Sequence, residues 1–258
     1  MLVGEKGICN VFFSRCNLAC IYCQNHQISN VKGAVNERNM TLAEVVESIS
    51  NILDTGCKAV GFVSPSHYIP HVKAIIETLR LNGRNPVFIY NTNAYDHVSE
   101  LKALEDYIDI YLPDFKYADN GLARRFSKVS DYHKVAHDAI SEMYRQRGST
   151  LVLDEDGSAL RGLIIRHLVL PGYTENSIHV LNEIADISAS IAVSLMAQYY
   201  PTPKVQQHPD LGRVVYESEY EKVKLHLHQL GFYKGWVQEL ESSSTYRPDF
   251  ESQNPFLG

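Results

Sequence analysis

The sequence lacks several features that would have narrowed its role at once. It has no apolar run near 18 residues, so no membrane-spanning helix is expected. It has no long block of like charge that would make an interaction tail. A net charge of −6 argues against a binder of nucleic-acid backbones, which needs a basic face. The first seven residues, Met1 to Gly7, carry no signal-peptide h-region. Cysteine is scarce at five residues, and three of those crowd one short run, which is no disulfide framework. A reducing, cytoplasmic setting follows as the expectation. With no internal repeat and no low-complexity linker, one domain over residues 1–258 is expected, its core at about 9–201 and a C-terminal helix and irregular tail at about 210–258.

What is present is an alternation of short apolar runs and amphipathic segments, the pattern of parallel β/α units. Strands are predicted at about 9–14, 59–63, 87–90, 108–112, 163–170 and 192–197. Thr41 and Glu44 form a capping box, and Leu42, Val45, Val46, Ile49, Ile52 and Leu53 recur at helical spacing behind it. Further helices are predicted from His67 to near Gly83, at about 97–105, 121–127, 132–147, 174–187 and 217–230. Between them, Asp154-Glu155-Asp156-Gly157 reads as a turn, and Trp236 to Leu240 as a candidate edge strand. About six such units suit an α/β barrel or partial barrel, where chemistry sits at the C-terminal ends of the strands.

The most informative run is Arg15-Cys16-Asn17-Leu18-Ala19-Cys20-Ile21-Tyr22-Cys23. A cubane [4Fe–4S] cluster has four irons, each wanting a thiolate. Three thiolates on one tight loop leave one iron open for chemistry, as an open position marks a catalytic zinc site. The C-x3-C-x2-C spacing fits zinc poorly, because zinc sites commonly use two separated ligand pairs. Cys57 reads as core. Cys9 lies seven residues before Cys16 and is a candidate fourth ligand.

At these residues the chain resembles the radical S-adenosylmethionine (SAM) superfamily, whose members carry C-x3-C-x2-C just after the first strand with an aromatic, here Tyr22, before the third cysteine. The resemblance implies an open (β/α)6 partial TIM barrel. It also implies a [4Fe–4S] cluster on Cys16, Cys20 and Cys23, with SAM chelated at the open iron. One-electron cleavage would then give methionine and a 5′-deoxyadenosyl radical that abstracts a hydrogen atom. Within the superfamily the chain looks most like the pyruvate formate-lyase activating enzymes and their activating-enzyme-like branch. Phe62-Val63-Ser64-Pro65-Ser66-His67 and Tyr111-Leu112-Pro113-Asp114-Phe115-Lys116 carry that likeness. The implied partners are SAM, a reductant such as flavodoxin or ferredoxin, and possible glycyl radical enzyme substrates, with peptides and small molecules as alternatives.

Site residues follow at the strand ends. The family's Gly-Gly-Glu turn is absent after the second strand. Ser64, Ser66 or backbone carbonyls are the candidates to replace it, the alternative being a loop in which Ser66 caps the next helix. The family's Asp-Thr-Asn and Leu-Asp-Leu-Lys turns are matched by Asn91-Thr92-Asn93 and Pro113-Asp114-Phe115-Lys116, so the likeness gives Thr92 and Lys116 roles in holding SAM. Asn91 stands where the family has an Asp that helps bind a monovalent cation, which leaves that cation open. A SAM carboxylate wants a cation nearby, which suits Lys116, and Asp114 would pair with Lys116 or Arg166. One of the neighbours Arg166 and His167 must face the barrel interior. The family's similar Arg before a Val-Pro-Gly turn, here Leu170-Pro171-Gly172, selects Arg166 as an anion clamp, with a core pair to Asp114 as the alternative. Gln198 stands where the family tends to place a SAM-contacting His, and Asn25 matches an Asn two residues past the third cysteine; His26 is a weaker candidate. In Glu5-Lys6-Gly7-Ile8-Cys9, Cys9 replaces the family's Arg. The competing accounts are an electron-transfer or structural [4Fe–4S] protein with Cys9 as fourth ligand, and a zinc-bound binding module.

Overall fold

Strands and helices alternate along the chain almost throughout. The computed structural model describes residues 7–30, 35, 38–244, 248–252 and 255. In order they form β1 (Cys9–Phe12), α1 (His26–Ser29), α2 (Leu42–Asp54), β2 (Ala59–Val63), α3 (Ile69–Leu81), β3 (Val87–Thr92), α4 (Val98–Ala103) and β4 (Ile110–Pro113). Then come α5 (Asn120–Ser127), α6 (Tyr132–Arg147), β5 (Val152–Leu153), β6 (Ala159–Leu168), α7 (Thr174–Ser188), β7 (Ala192–Met196), α8 (Glu217–Gln229) and β8 (Gly235–Val237). A 3-10 turn over Leu240–Ser244 follows.

The main path of the sheet runs β1-β2-β3-β4-β6-β7-β8, every neighbour parallel. This is the open α/β barrel that the alternation predicts, with β8 as a further parallel strand. Among the described residues β1 and β8 do not pair, so the arc has a seam. The chain after β8 reaches across to β1. Phe250 packs edge-on against Phe12 with ring centroids 5.2 Å apart. The Gln27 amide donates to Asp249 Oδ1 at 2.8 Å, and the Phe250 N–H donates to Gln27 Oε1 at 2.8 Å.

Several details differ from the sequence reading, among them the short helix α1, which that reading does not include. The strand predicted at 163–170 begins earlier, at Ala159, and its first residues pair antiparallel with β5 across the Asp154–Gly157 turn. Val152 and Leu153 are exposed and too few to show a period. The edge strand predicted at 236–240 is Gly235–Val237, paired with β7. At one helix start local chemistry gives the expected boundary. At α2 the Glu44 N–H donates to Thr41 Oγ1 at 3.3 Å while the Thr41 N–H donates to Glu44 Oε2 at 2.7 Å, completing the capping box.

The strands bury both faces, as parallel strands under crossover helices do. The outer face joins the helices in one large core that includes Phe62, Phe88, Tyr90, Tyr111, Leu163 and Ile165. The inner face forms a smaller apolar plug of Ala59, Ile89, Ile110 and Ala159, with Val87 and Leu112 against it. At Gly61 an added Cβ would lie 2.5 Å from Asn10 Oδ1, so a larger residue there would displace the Asn10 side chain. Alternation then decides which residues continue the inner face. Two residues beyond Ile89 is Asn91; two and four beyond Ile110 are Leu112 and Asp114; the register bridges Asp114 to Arg166, and Arg166 to Ser194.

Candidate functional site

The loop after β1 carries Cys16, Cys20 and Cys23 and is pinned by three other segments. From the β3 end, the Asn93 amide donates to Asn17 Oδ1 at 2.7 Å, and the Asn17 amide donates to the Tyr95 carbonyl at 2.6 Å. From the end of α5, the carbonyls of Ser127 and Phe126 accept the N–H groups of Ala19 at 3.1 Å and Ile21 at 2.9 Å. From beyond β7, the Tyr200 carbonyl accepts the Gln24 amide at 2.8 Å, and the Thr202 hydroxyl donates to the Ile21 carbonyl at 3.2 Å. Leu18 and Tyr22 anchor the loop in the core.

Each thiol has its own polar neighbour. Cys16 Sγ accepts from the Leu18 N–H at 3.4 Å and the Asn93 amide at 3.3 Å. Cys20 Sγ lies 3.0 Å from the Ser127 hydroxyl, and Cys23 Sγ accepts from the Ser29 hydroxyl at 3.2 Å. A cavity of about 480 Å³ adjoins this loop, with Cys20, Cys23, His26, Ser29 and Ser127 in its wall. Burial pushes the Cys20 thiol up to about 12 and raises Cys16 too, while the nearby Lys116 charge pulls both down. Iron binding requires the thiolates and so releases protons here. Among the described residues, no three His, Cys, Asp or Glu side chains converge on one metal-ion position. A cluster that brings its own sulfides needs each thiolate on a different iron, not on one point.

Beside the thiols stands an ion cluster on the inner face. Asp114 Oδ2 lies 2.6 Å from Lys116 Nζ, and Asp114 Oδ1 lies 2.6 Å from Arg166 Nη2. Arg166 Nη2 also donates to Asn91 Oδ1 at 2.7 Å. Burial works against the charge on Asp114, but Arg166 and Lys116 outweigh it and hold its carboxyl below the usual range. Burial likewise opposes the charge on Lys116, and Asp114 with Cys20 raises it overall. Two cations on one carboxylate leave a surplus positive charge. Arg166 Nε is out of solvent with no hydrogen-bond partner among the described residues, a buried donor able to take an acceptor. The residues therefore fit both groups that the sequence implies: soft thiolates for a cluster and a cationic inner face for a carboxylate ligand.

The structure brings Arg166, Asp114 and Lys116 together and puts Arg166 on the inner face. His167 faces the opposite way, buried between the Phe115 carbonyl at 2.7 Å and the Ser177 hydroxyl at 2.8 Å. Ser64 sits at the β2 end with φ of 54°, its N–H on the Asn91 carbonyl at 2.9 Å. Ser66 does not cap α3, whose N-cap is Tyr68; its hydroxyl lies 3.2 Å from Thr92 Oγ1. Thr92 is turned away from the site. Its hydroxyl donates to Asp96 Oδ2 at 2.6 Å and accepts the Ala94 N–H at 3.2 Å, so it stiffens the turn instead of facing a ligand. Asn25 begins α1, and Gln198 follows β7, where its Oε1 accepts the Gln238 amide at 2.8 Å. Cys9 is at the start of β1, the far end of the strand from the loop. It is buried beside Cys57, its thiol pushed up to about 11 by burial and then by Cys57. A fourth-ligand role for Cys9 does not fit this placement.

Sequence reasoning missed Asn93, Asp96, Ser29, Tyr132 and Ser127. The Tyr132 hydroxyl lies 2.9 Å from the Asn93 carbonyl and 2.8 Å from the Asp114 carbonyl, and it accepts the Lys116 N–H at 2.9 Å. It thereby ties the β3 and β4 ends together. The Thr92-x-x-x-Asp96 spacing was a usable local signal; the α5 contacts had none in the sequence. Among the described residues, four non-glycine residues have left-handed backbones: Arg15, Ser64, Ala94 and Lys128, with φ of 69°, 54°, 63° and 63°. All four border the cysteine loop or the strand ends. Strain of this kind gathers at functional sites.

Residues 10–184 match the radical SAM superfamily. An uncharacterized protein of Methanocaldococcus jannaschii is 31% identical over 220 residues, 82% of this chain; the chain spans 59% of that relative's length. Among solved structures, the FeFe-hydrogenase maturase HydG from Carboxydothermus hydrogenoformans superposes with a TM-score of 0.61 at 13% identity, over 89% of this chain and 52% of HydG. Streptococcus suis SuiB bound to S-adenosylmethionine gives 0.58 at 16% identity, over 91% of this chain and 51% of SuiB. The fold and the family match lead to one assignment: the chain belongs to the radical SAM superfamily, whose cofactors are a [4Fe–4S] cluster and S-adenosylmethionine.

Proposed function

We propose that this chain is a SAM-cleaving radical enzyme in which Cys16, Cys20 and Cys23 hold the cluster and leave one iron open. The observation that carries the reading is the partly buried, surplus-cation cluster of Asp114, Lys116 and Arg166 beside three thiols on one loop. When bound, cluster and SAM supply one-electron cleavage of the sulfonium–carbon bond and hydrogen-atom abstraction. The protein's own residues position and shield. Lys116 and Arg166 take the SAM carboxylate, Asp114 fixes both cations, and Asn25, Ser64 and Gln198 line the ligand at neighbouring strand ends. Thr92 holds the β3 turn from behind.

The chain acts as one domain in a reducing cytoplasm, receiving electrons from a small carrier such as flavodoxin or ferredoxin. Its Ser64-Pro65-Ser66-His67 and Pro113-Asp114-Phe115-Lys116 turns favour the activating-enzyme-like branch, with a glycyl radical enzyme, a peptide or a small molecule as the hydrogen donor. The test is anaerobic reconstitution with iron and sulfide, then dithionite and SAM, with 5′-deoxyadenosine quantified against a Cys16→Ala/Cys20→Ala/Cys23→Ala variant. The nucleoside is expected only from the intact chain. A four-iron cluster that neither binds nor cleaves SAM would refute the reading.

A further inference from the structure

Cys20 differs from the other two cysteines in what stands behind its hydrogen-bond partner. Ser127 is fully buried at the last position of α5, 3.0 Å from Cys20 Sγ. Its hydroxyl is 2.8 Å from the Tyr117 hydroxyl, which is 2.5 Å from the Tyr22 hydroxyl. Tyr22 and Tyr117 are themselves buried, so the row of three hydroxyls ends in protein and not in water.

A cluster-bound cysteine is a thiolate and can only accept. Ser127 must then donate its proton to sulfur, which frees its oxygen to accept from Tyr117, which in turn accepts from Tyr22. The sulfur thus fixes the direction of all three O–H dipoles, each pointing toward Cys20. Aligned donors polarise one another, so Ser127 is a stronger donor than a lone serine would be. By contrast, the structure places one hydroxyl, that of Ser29, at Cys23. Reduction adds one negative charge to the cluster. A donor aimed at a ligand sulfur stabilises the reduced form more than the oxidised one and raises the potential.

We propose that Tyr22, Tyr117 and Ser127 form a directed hydroxyl chain that sets the reduction potential of the cluster through Cys20. These are positioning residues, and the inference rests on the reading that Cys16, Cys20 and Cys23 hold an iron–sulfur cluster. It leaves SAM and substrate aside.

The test is a redox titration of the anaerobically reconstituted protein, followed by electron paramagnetic resonance without SAM. Ser127→Ala is expected to lower the reduced-to-oxidised ratio at a fixed potential about tenfold, which is about 59 mV for one electron. Tyr117→Phe keeps the ring and the packing, and it is expected to lower the ratio about twofold by removing only the polarising donor. Ser127→Thr keeps the hydroxyl and should restore the native ratio, which a purely packing role for Ser127 would not produce. A native ratio in Tyr117→Phe overturns the chain, and native ratios in both Tyr117→Phe and Ser127→Ala overturn any hydroxyl control of the potential. If Ser127→Ala holds no cluster, Tyr117→Phe decides alone, a native ratio there being the refuting result. A wild-type chain that assembles no iron–sulfur cluster instead refutes the underlying reading.

Discussion

Two stretches of one inner face lie a few residues apart and differ completely in chemistry. At the N-terminal ends of the strands, Ala59, Ile89 and Ile110 meet as an apolar plug. At the C-terminal ends, Asn91, Asp114 and Arg166 meet as a charged cluster. The pleat is the same for both, since Asn91 and Asp114 lie two and four positions beyond the plug residues Ile89 and Ile110, and Arg166 bridges to Asp114. The plug excludes water beneath the ions. It thereby strengthens their mutual attraction and makes any missing partner expensive. The contrast teaches that the plug is part of the site's electrostatics as well as of the fold's stability.

Breaking either end is expected to have the largest effects. Asp114→Ala leaves Lys116 and Arg166 facing each other in a partly buried setting and should destabilise by about 3 kcal/mol in denaturant unfolding. Breaking the plug instead, with Ile110→Ala, is expected to lower stability by about 2–5 kcal/mol. Its unfolding should not change with salt, whereas charge-driven losses at the other end should. A third test uses the outer face at the residue next to Arg166. The His167 pKa is lowered to about 4, chiefly by burial. Because the unfolded chain, near 6.5, takes up that proton first, stability is complete above pH 6.5 and falls as pH drops toward 4, by about 3 kcal/mol. A His167→Gln variant should show a flatter pH profile in that window. The smallest effect is expected far from both ends: Thr41→Ala removes the α2 cap and should lower stability by about 1 kcal/mol, with nucleoside production unchanged.

Much of this was legible because it is local. The Thr41–Glu44 box, the Arg166-His167 alternation and the strand runs each depend on residues within a few positions. The β5 ribbon was not legible, since two residues carry no periodicity. Thr92 misled for a related reason: a hydroxyl at a strand end is equally able to face a ligand or its own turn, and Asp96 decides it. Cys9 misled by counting residues, when the strand between it and the loop is rigid and extended. Ser127 was out of reach altogether, because 107 residues separate it from Cys20 and only the packing of α5 against the cysteine loop joins them.

The left-handed backbones at Arg15, Ser64, Ala94 and Lys128 give the molecule an uneven tolerance to improvement. Each side chain there holds a conformation that costs about 1–2 kcal/mol relative to ordinary geometry. Selection for heat resistance should therefore find its early gains as Gly or Asn at Arg15, Ser64 and Lys128, Ala94 being fully buried. The same gains would loosen the rim that aims the thiols and the cations. A laboratory lineage bred for robustness is expected to drift toward a sturdier barrel that has lost its grip on its cofactors.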